Sequence, residues 1–457
     1  MDEIICISPV DGSEYARRPL SSAAEVERAL EGARRAQREW AEVPLAERRA
    51  AIVRFLAAME RLNGEIVPEL AWQMGRPVRY QGEYRSLAER VEAMVALAES
   101  ALAPEMPAPG RTVARVSAGL VLVIAPWNYP FLTAANTIVP ALLAGNAVLL
   151  KHSAQTPLAG ERFAEAFAAA GLPDGLFANL FLDHHQAARL LGSGLIDHAN
   201  FTGSVAGGRA VERAAAGSLT TLTLELGGKD PAYVRGDADV AAAVEGIADG
   251  AFYNSGQSCC AVERVYVHEA VWAPFLEGLA AAAGAYRLGD PLDPETDLGP
   301  MATARGAETV RRQLRAALDA GAVAHVDAGL FPAITGDTPY LMPQVLTGVD
   351  HFMAVMREET FGPVVGLMKV VGDEEAVRLM NDSAYGLAAS IWTRDLDAAK
   401  RLAARIAAGT VLANRCDYLD PLLAWSGIGE SGRGASLGRW GFEAVTRPKS
   451  LHLRSAR

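Results

Sequence analysis

Covalent chemistry in this chain could start from its four cysteines, at positions 6, 259, 260 and 416. Two of them close the run Tyr253-Asn254-Ser255-Gly256-Gln257-Ser258-Cys259-Cys260, a polar, glycine-containing loop between a helical and a strand-like stretch. A cysteine is most often an inert core thiol; a nucleophilic one needs thiolate character and access to a substrate. There is no CxxC pair and no HExxH, so neither a disulfide framework nor a zinc site is expected. Glu225 lies in Leu224-Glu225-Leu226-Gly227-Gly228-Lys229, at the end of an apolar run. A carboxylate at a strand end can act as general base toward water, or simply pair with Lys229. Asn128 sits in Ala125-Pro126-Trp127-Asn128-Tyr129-Pro130, where two prolines restrict the backbone. Its amide can donate to a developing oxyanion, or belong to an ordinary turn. Phe201-Thr202-Gly203-Ser204-Val205-Ala206-Gly207-Gly208 brings glycines, which let a phosphate approach the backbone, to the start of a helical pattern whose N-terminus favours anions. It is not GxGxxG.

These residues need elements to position them. Residues 23–102 are rich in Ala, Glu and Arg, with apolar positions at helical spacing (Ile52, Phe55, Leu56, Met59, Leu62), and read as amphipathic helices. Residues 103–111, with three prolines and a glycine, read as an extended crossing. Residues 119–125, 147–151, 176–182, 198–202 and 221–226 read as buried strands, alternating with helices at 133–144, 158–170 and 205–216. A second series follows Gly227-Gly228: strands at 232–234, 262–267, 364–370, 390–392 and 411–413, and helices at 238–251, 270–283, 304–320, 373–380 and 398–407. The expected class is α/β, with two doubly wound parallel-sheet lobes and a ligand cleft between them.

The 457 residues are enough for two or three domains, and 50% are hydrophobic, which supports large cores. A net charge of −11 disfavours nucleic acid and anionic membranes as partners. No run reaches the ~20 apolar residues of a membrane span, and the first twenty residues lack an apolar signal core, so a cytoplasmic protein is expected.

Taken together, APWNYP, FTGSVAGG, LELGGK, GQSC and EETFGPV occur in an order and at spacings that resemble the aldehyde dehydrogenase superfamily. Asn381-Asp382-Ser383-Ala384-Tyr385-Gly386-Leu387 and Ser431-Gly432-Arg433-Gly434 extend the resemblance, which runs from Ser8-Pro9 to Arg447-Pro448-Lys449. It implies that Cys259 is the nucleophile and Cys260 a bystander. It further implies that Glu225 is the base and that Asn128, with the Cys259 N–H, holds the oxyanion. An aldehyde would then be oxidised through a Cys259 thioester that water, activated by Glu225, hydrolyses to a carboxylic acid. For the nicotinamide cofactor, the resemblance implies that Gly203 to Gly208 cover the pyrophosphate, with Ser204 as a side-chain donor and Trp127 nearby. Lys151 would bind the adenosine ribose and Glu359 the nicotinamide ribose. Phe361 would pack near the nicotinamide, and Leu226 and Gly227 would complete the contacts. Residues 1–105 and 119–228 would bind cofactor, 229–430 would carry catalysis, and 106–118 with 431–457 would form a small β element joining subunits into a homodimer or homotetramer.

Several positions depart from the family pattern. Ala154 stands where NAD-preferring members have a glutamate three residues after the ribose lysine, which leaves NADP possible while NAD is slightly favoured. His152 replaces a usual proline, without an evident reason. Tyr129, Asn136, Tyr253, Ser258, Leu419 and Trp425 are expected along the substrate channel. Semialdehyde enzymes often have arginines where Asn136 and Tyr253 stand, so an uncharged aliphatic or aromatic aldehyde is expected, with a semialdehyde such as succinate semialdehyde as the alternative. Arg415 reads as a surface residue. Betaine-type enzymes surround the cationic head with aromatics; Trp127, Tyr129 and Trp425 are present, but Asn136 leaves a gap. Ala424-Trp425-Ser426-Gly427 replaces the usual Pro-Phe-Gly-Gly. Coenzyme A-dependent acylating members generally lack the base glutamate, so Glu225 argues against that branch.

Overall fold

The computed structural model describes residues 3–332 and 338–454. Its first sheet has six strands in the order Gly432–Arg433, Thr221–Glu225, His198–Thr202, Leu120–Ile124, Ala147–Lys151, Phe177–Asn179. All neighbours are parallel except the short Gly432–Arg433 strand. The chain moves outward from Leu120–Ile124 to Phe177–Asn179, then returns to the other side of Leu120–Ile124. This reversal opens a crevice beyond the carboxyl ends of Leu120–Ile124 and His198–Thr202, where doubly wound sheets bind ligands. Every residue of Leu120–Ile124 and Ala147–Lys151 is buried, because helices cover both faces.

The second sheet has seven strands in the order Val323–Ala324, Gln344–Thr347, Val364–Val370, Val262–His268, Asp230–Val234, Ala388–Trp392, Thr410–Ala413. Its pleat feeds two cores. Ala232, Val234, Val265 and Val267 point to one, Tyr233 and Tyr266 to the other. The strand positions expected from the apolar runs agree with the structure to within a few residues. Val323–Ala324 and Gln344–Thr347 carry no comparable run and escaped that reading. So did the N-terminal hairpin of Glu3–Ile7 with Glu14–Pro19 and the short helix His184–Gly192.

The third, three-stranded sheet pairs Arg111–Ser117 antiparallel with Thr446–His452 on one side and Glu105–Ala108 on the other. The extended crossing expected at 103–111 therefore becomes part of a hairpin. The stretch from residue 431 onward does more than join this sheet: it also supplies the Gly432–Arg433 edge of the first sheet and the helix Gly438–Ala444. Among the described residues no helix is long and apolar enough to cross a membrane.

Candidate active site

A cleft of about 380 Å³ opens at the crevice predicted by the strand reversal. One wall comes from the ends of the first-sheet strands: Trp127 and Asn128, Gly203 and Ser204, then Glu225 to Gly227. The facing wall comes from the second lobe, with Cys259, Glu359 and Phe361. Thr303, Arg305 and Thr309 of the same lobe also border it and carried no recognisable motif.

The loop bearing Cys259 leaves the helix Val240–Phe252 through a turn in which Asn254, Ser255 and Gly256 have φ of 53°, 55° and 70°. A side chain at Gly256 would lie 2.4 Å from the Gly362 carbonyl, so glycine is required there. Strain at Asn254 and Ser255 is offset by side-chain hydrogen bonds. Asn254 Nδ2 donates to the carbonyls of Asn128 and Gln257 at 3.3 Å each, and Ser255 Oγ donates to the Gly299 carbonyl at 2.9 Å. Cys259 emerges partly exposed, while Cys260 is 2% exposed. Cys260 Sγ donates to Asp417 Oδ1 at 3.0 Å, and its pKa is driven well up by the hydrogen bond with Cys259 and by burial. Cys260 is therefore held as a neutral thiol.

Asn128 is 5% exposed and its Nδ2 donates to the Gln257 carbonyl at 3.1 Å, which places the amide against the cysteine loop. The backbone around it is anchored by a buried ion pair absent from the motif reading. Arg76 Nη1 meets Glu83 Oε1 at 2.5 Å, and Arg76 Nη2 donates to the Asn128 carbonyl. Glu83 Oε2 in turn accepts from the Phe131 and Leu132 N–H groups at 3.1 and 2.8 Å, capping the helix Pro130–Leu143.

Glu225 ends its strand 7% exposed. Thr202 Oγ1 lies 3.4 Å from one carboxyl oxygen, while the other, Oε1, has no partner among the described residues. Burial raises its pKa above the usual carboxylate value. The alternative role as a partner of Lys229 does not hold, because Lys229 pairs with buried Glu263 instead. Glu263 also accepts from the N–H groups of Thr360 and Phe361, at 2.8 Å each, so this pair fixes the loop that carries Glu359 and Phe361.

The cofactor residues named from the sequence are arranged as follows. Ser204 caps the helix Val205–Ala215, accepting from Gly207 N at 3.2 Å. Bare glycines make room beside it: a Cβ at Gly203 would strike the Phe201 ring at 2.7 Å, and one at Gly208 would strike Leu226 at 2.6 Å. Glu359 rises over Gly227, where a Cβ would lie 2.2 Å from its carboxylate. Burial pushes Glu359 up to about 8. The Trp127 and Phe361 rings meet edge to face across the two lobes, with centroids 5.6 Å apart. Lys151 and Gly208 stand behind this wall; Lys151 is 7% exposed, with Nζ 3.4 Å from the His152 carbonyl. A helix N-terminus, a glycine-cleared cradle and aromatic rings lining the cleft that also holds Cys259 fit the binding of a dinucleotide.

His152 gains an account here. It is buried, with its pKa lowered to about 4 by desolvation, and its Nδ1 accepts from Ser153 N at 2.9 Å. Nε2 therefore carries the proton and donates to the Pro130 carbonyl at 3.1 Å, tying the end of Ala147–Lys151 to the helix after Asn128.

The six expected channel residues lie outside the cleft wall. Tyr129 is partly exposed under the Arg76 guanidinium, 4.7 Å from its ring centroid. Tyr253 packs edge to face on Tyr80 at 4.8 Å. Ser258 Oγ donates to Asp417 Oδ1 at 2.6 Å. Leu419 is partly buried against the first-lobe core, and Trp425 is 3% exposed within that core. Asn136 is 1% exposed and accepts from Arg90 Nη1 at 3.0 Å. Arg415 is exposed and lies over the Tyr418 ring.

The aldehyde dehydrogenase family model matches residues 1–451. Betaine aldehyde dehydrogenase 2 of Rhizobium meliloti (strain 1021) is 35% identical over 455 residues, covering 99% of this chain and 94% of that protein. The succinate-semialdehyde dehydrogenase [NADP(+)] of Deinococcus radiodurans is 33% identical over 447 residues, covering 97% and 93%. The crystal structure of succinic semialdehyde dehydrogenase from Streptococcus pyogenes, in complex with NADP+, superposes with a TM-score of 0.94 at 27% identity, over 99% of this chain and 100% of that one. With the cleft, the fold and these likenesses agreeing, the chain belongs to the aldehyde dehydrogenase family.

Proposed function

We propose that Cys259, Asn128 and Glu225 together oxidise an aldehyde to a carboxylic acid in this cleft, with NAD or NADP as the cofactor. The observation that carries this is their convergence, from three distant segments, on one 380 Å³ cleft. NAD or NADP, when bound, would supply the acceptor for the hydride that the Cys259 adduct gives up on becoming a thioester. Cys259 Sγ forms the bond to the aldehyde carbon, its proton passing to solvent. The carbonyl oxygen gains negative charge and accepts from the Asn128 amide and the Cys259 N–H. Glu225 Oε1, without a hydrogen-bond partner among the described residues, then takes a proton from water as the water oxygen bonds to the thioester carbon. The C–S bond breaks and the acid leaves. Ser204, the bare glycines, Glu359 and Phe361 would hold the cofactor from both walls, and Lys151 would hold its adenosine ribose.

We assign cofactor binding to residues 1–105 and 119–228 and catalysis to 229–430, working as a cytoplasmic homo-oligomer, a dimer or tetramer. Support for association comes from Thr446–His452, an edge strand on which Leu451 is 41% exposed; Leu453 beyond it is 73% exposed. Reduction of NAD or NADP by a generic aldehyde, abolished in Cys259→Ala, is the expected result. Persistence of that reduction in Cys259→Ala rules out the assignment.

A further inference from the structure

The helix Leu45–Met74 closes at Gly75, with φ of 80°, and the turn sends Arg76 inward to 1% exposure. Each edge of its planar guanidinium meets a different segment. Nη1 pairs with Glu83, Nη2 donates to the Asn128 carbonyl, and Nε donates to Asn254 Oδ1 at 3.4 Å. Arginine carries only donors, so it fixes which end of the Asn254 amide faces it. Asn254 Nδ2 is thereby turned toward the carbonyls of Asn128 and Gln257, 3.3 Å from each. The Gln257 carbonyl also accepts from Asn128 Nδ2 at 3.1 Å. These bonds close a ring from Arg76 to Asn254, Gln257, Asn128 and back, which crosses from the first lobe to the second. Its four residues are 1–5% exposed, so water has little access to compete for the bonds.

An amide nitrogen has two N–H bonds. The Gln257 carbonyl holds one of those on Asn128; among the described residues the other has no acceptor, and Asn128 lines the same cleft as Cys259. The plane in which the ring holds the amide therefore sets the direction of the free donor. Asn254 itself has φ of 53°, which costs a non-glycine residue free energy. Glycine would take this φ without strain, so the backbone alone does not explain asparagine here; the bonds of its amide do.

We propose that Arg76 and Asn254 are positioning residues for the oxyanion donor, holding the Asn128 amide so that its free N–H points at the oxygen of the Cys259 adduct. This rests on the aldehyde oxidation proposed above and adds two residues to it. Both lie outside the cleft wall and act on the reaction through Asn128.

The test is the single-turnover rate of cofactor reduction with butanal, the full chain being in excess over aldehyde, so that release of the acid does not enter. Asn254→Gly removes the amide and suits the local φ. Its rate should fall about 10- to 100-fold, the scale of a small misplacement of a reacting group, with KM for the cofactor unchanged. In an Asn128→Ala background the same substitution should cost nothing further, because the group it positions is gone. Arg76→Lys keeps a cation for Glu83 but lacks the fork; it should show a smaller loss and the same lack of effect beside Asn128→Ala. Its two results decide the matter should Asn254→Gly not accumulate as folded protein. A variant rate equal to that of the wild type overturns the proposal. So does a loss that multiplies with that of Asn128→Ala, which would mark a general loosening of the site. A slow Asn128→Ala beside an unimpaired Asn254→Gly sinks this inference alone; no cofactor reduction by the wild type with any aldehyde sinks the oxidation itself.

Discussion

The side-chain amide of Asn128 donates to the backbone carbonyl of Gln257 at 3.1 Å, two positions before the thiol of Cys259. One hydrogen bond thus joins the first-sheet crevice to the cysteine loop, beside which the proposed oxyanion would form. Asn128→Ala should lower kcat about 100- to 1000-fold, the usual cost of losing one oxyanion donor. Steady-state kinetics with a saturating aldehyde measures this; a loss confined to KM would contradict the role.

Glu225 is buried, its pKa is raised by that burial, and its Oε1 has no hydrogen-bond partner among the described residues. As a base it works ionised, so wild-type kcat should climb along a limb lying above the ordinary carboxylate range. Glu225→Gln should erase that limb and lower steady-state turnover by roughly 100- to 10,000-fold. A stoichiometric burst of reduced cofactor should remain, because acylation of Cys259 does not need the water step. Rapid-mixing absorbance distinguishes the cases, and loss of the burst together with turnover would place Glu225 elsewhere in the reaction.

Asp417, whose carboxyl faces Ser258 and Cys260, is pushed from 3.8 up to about 6 by burial. The folded protein thus binds this proton more tightly than the unfolded chain. Its stabilising effect is full below pH 3.8 and is lost as pH rises through about 6. Asp417→Asn keeps the acceptor oxygen and has no charge to bury. Urea midpoints should coincide for the two proteins in acid and diverge in favour of Asp417→Asn as pH climbs through about 6. Parallel profiles would show that Asp417 ionises freely.

Ala154 is exposed, three residues beyond Lys151, and carries nothing that could repel a 2′-phosphate. Both NAD and NADP should therefore serve, with NAD slightly preferred. Ala154→Glu should raise KM for NADP relative to NAD by about tenfold or more through like-charge repulsion. An unchanged ratio of KM values would mean that the adenosine ribose binds away from residue 154.

The chemistry was legible in the sequence wherever it resided in short contiguous motifs. GQSC, LELGGK and APWNYP each carry one of the three polar groups that meet in the cleft, and buried parallel strands announce themselves as apolar runs because both faces are covered. Short or edge strands such as Gln344–Thr347 and Glu3–Ile7 lack that pattern, since part of their surface faces water. Also illegible were the supports that no local pattern encodes: Arg76 with Glu83, Lys229 with Glu263, and Arg90 on Asn136.

From the sequence alone, the family and the order of elements could be named, and candidates for nucleophile, base and oxyanion donor could be proposed. Tertiary structure alone decided which buried charges are paired and which is left free. Pairing depends on which helix crosses which, and groups 46 positions apart in the chain, such as the Arg90 guanidinium and its amide acceptor Asn136, meet only when two helices pack. A motif records what lies next to a residue along the chain, whereas the field at a reacting atom is set by what surrounds it in space.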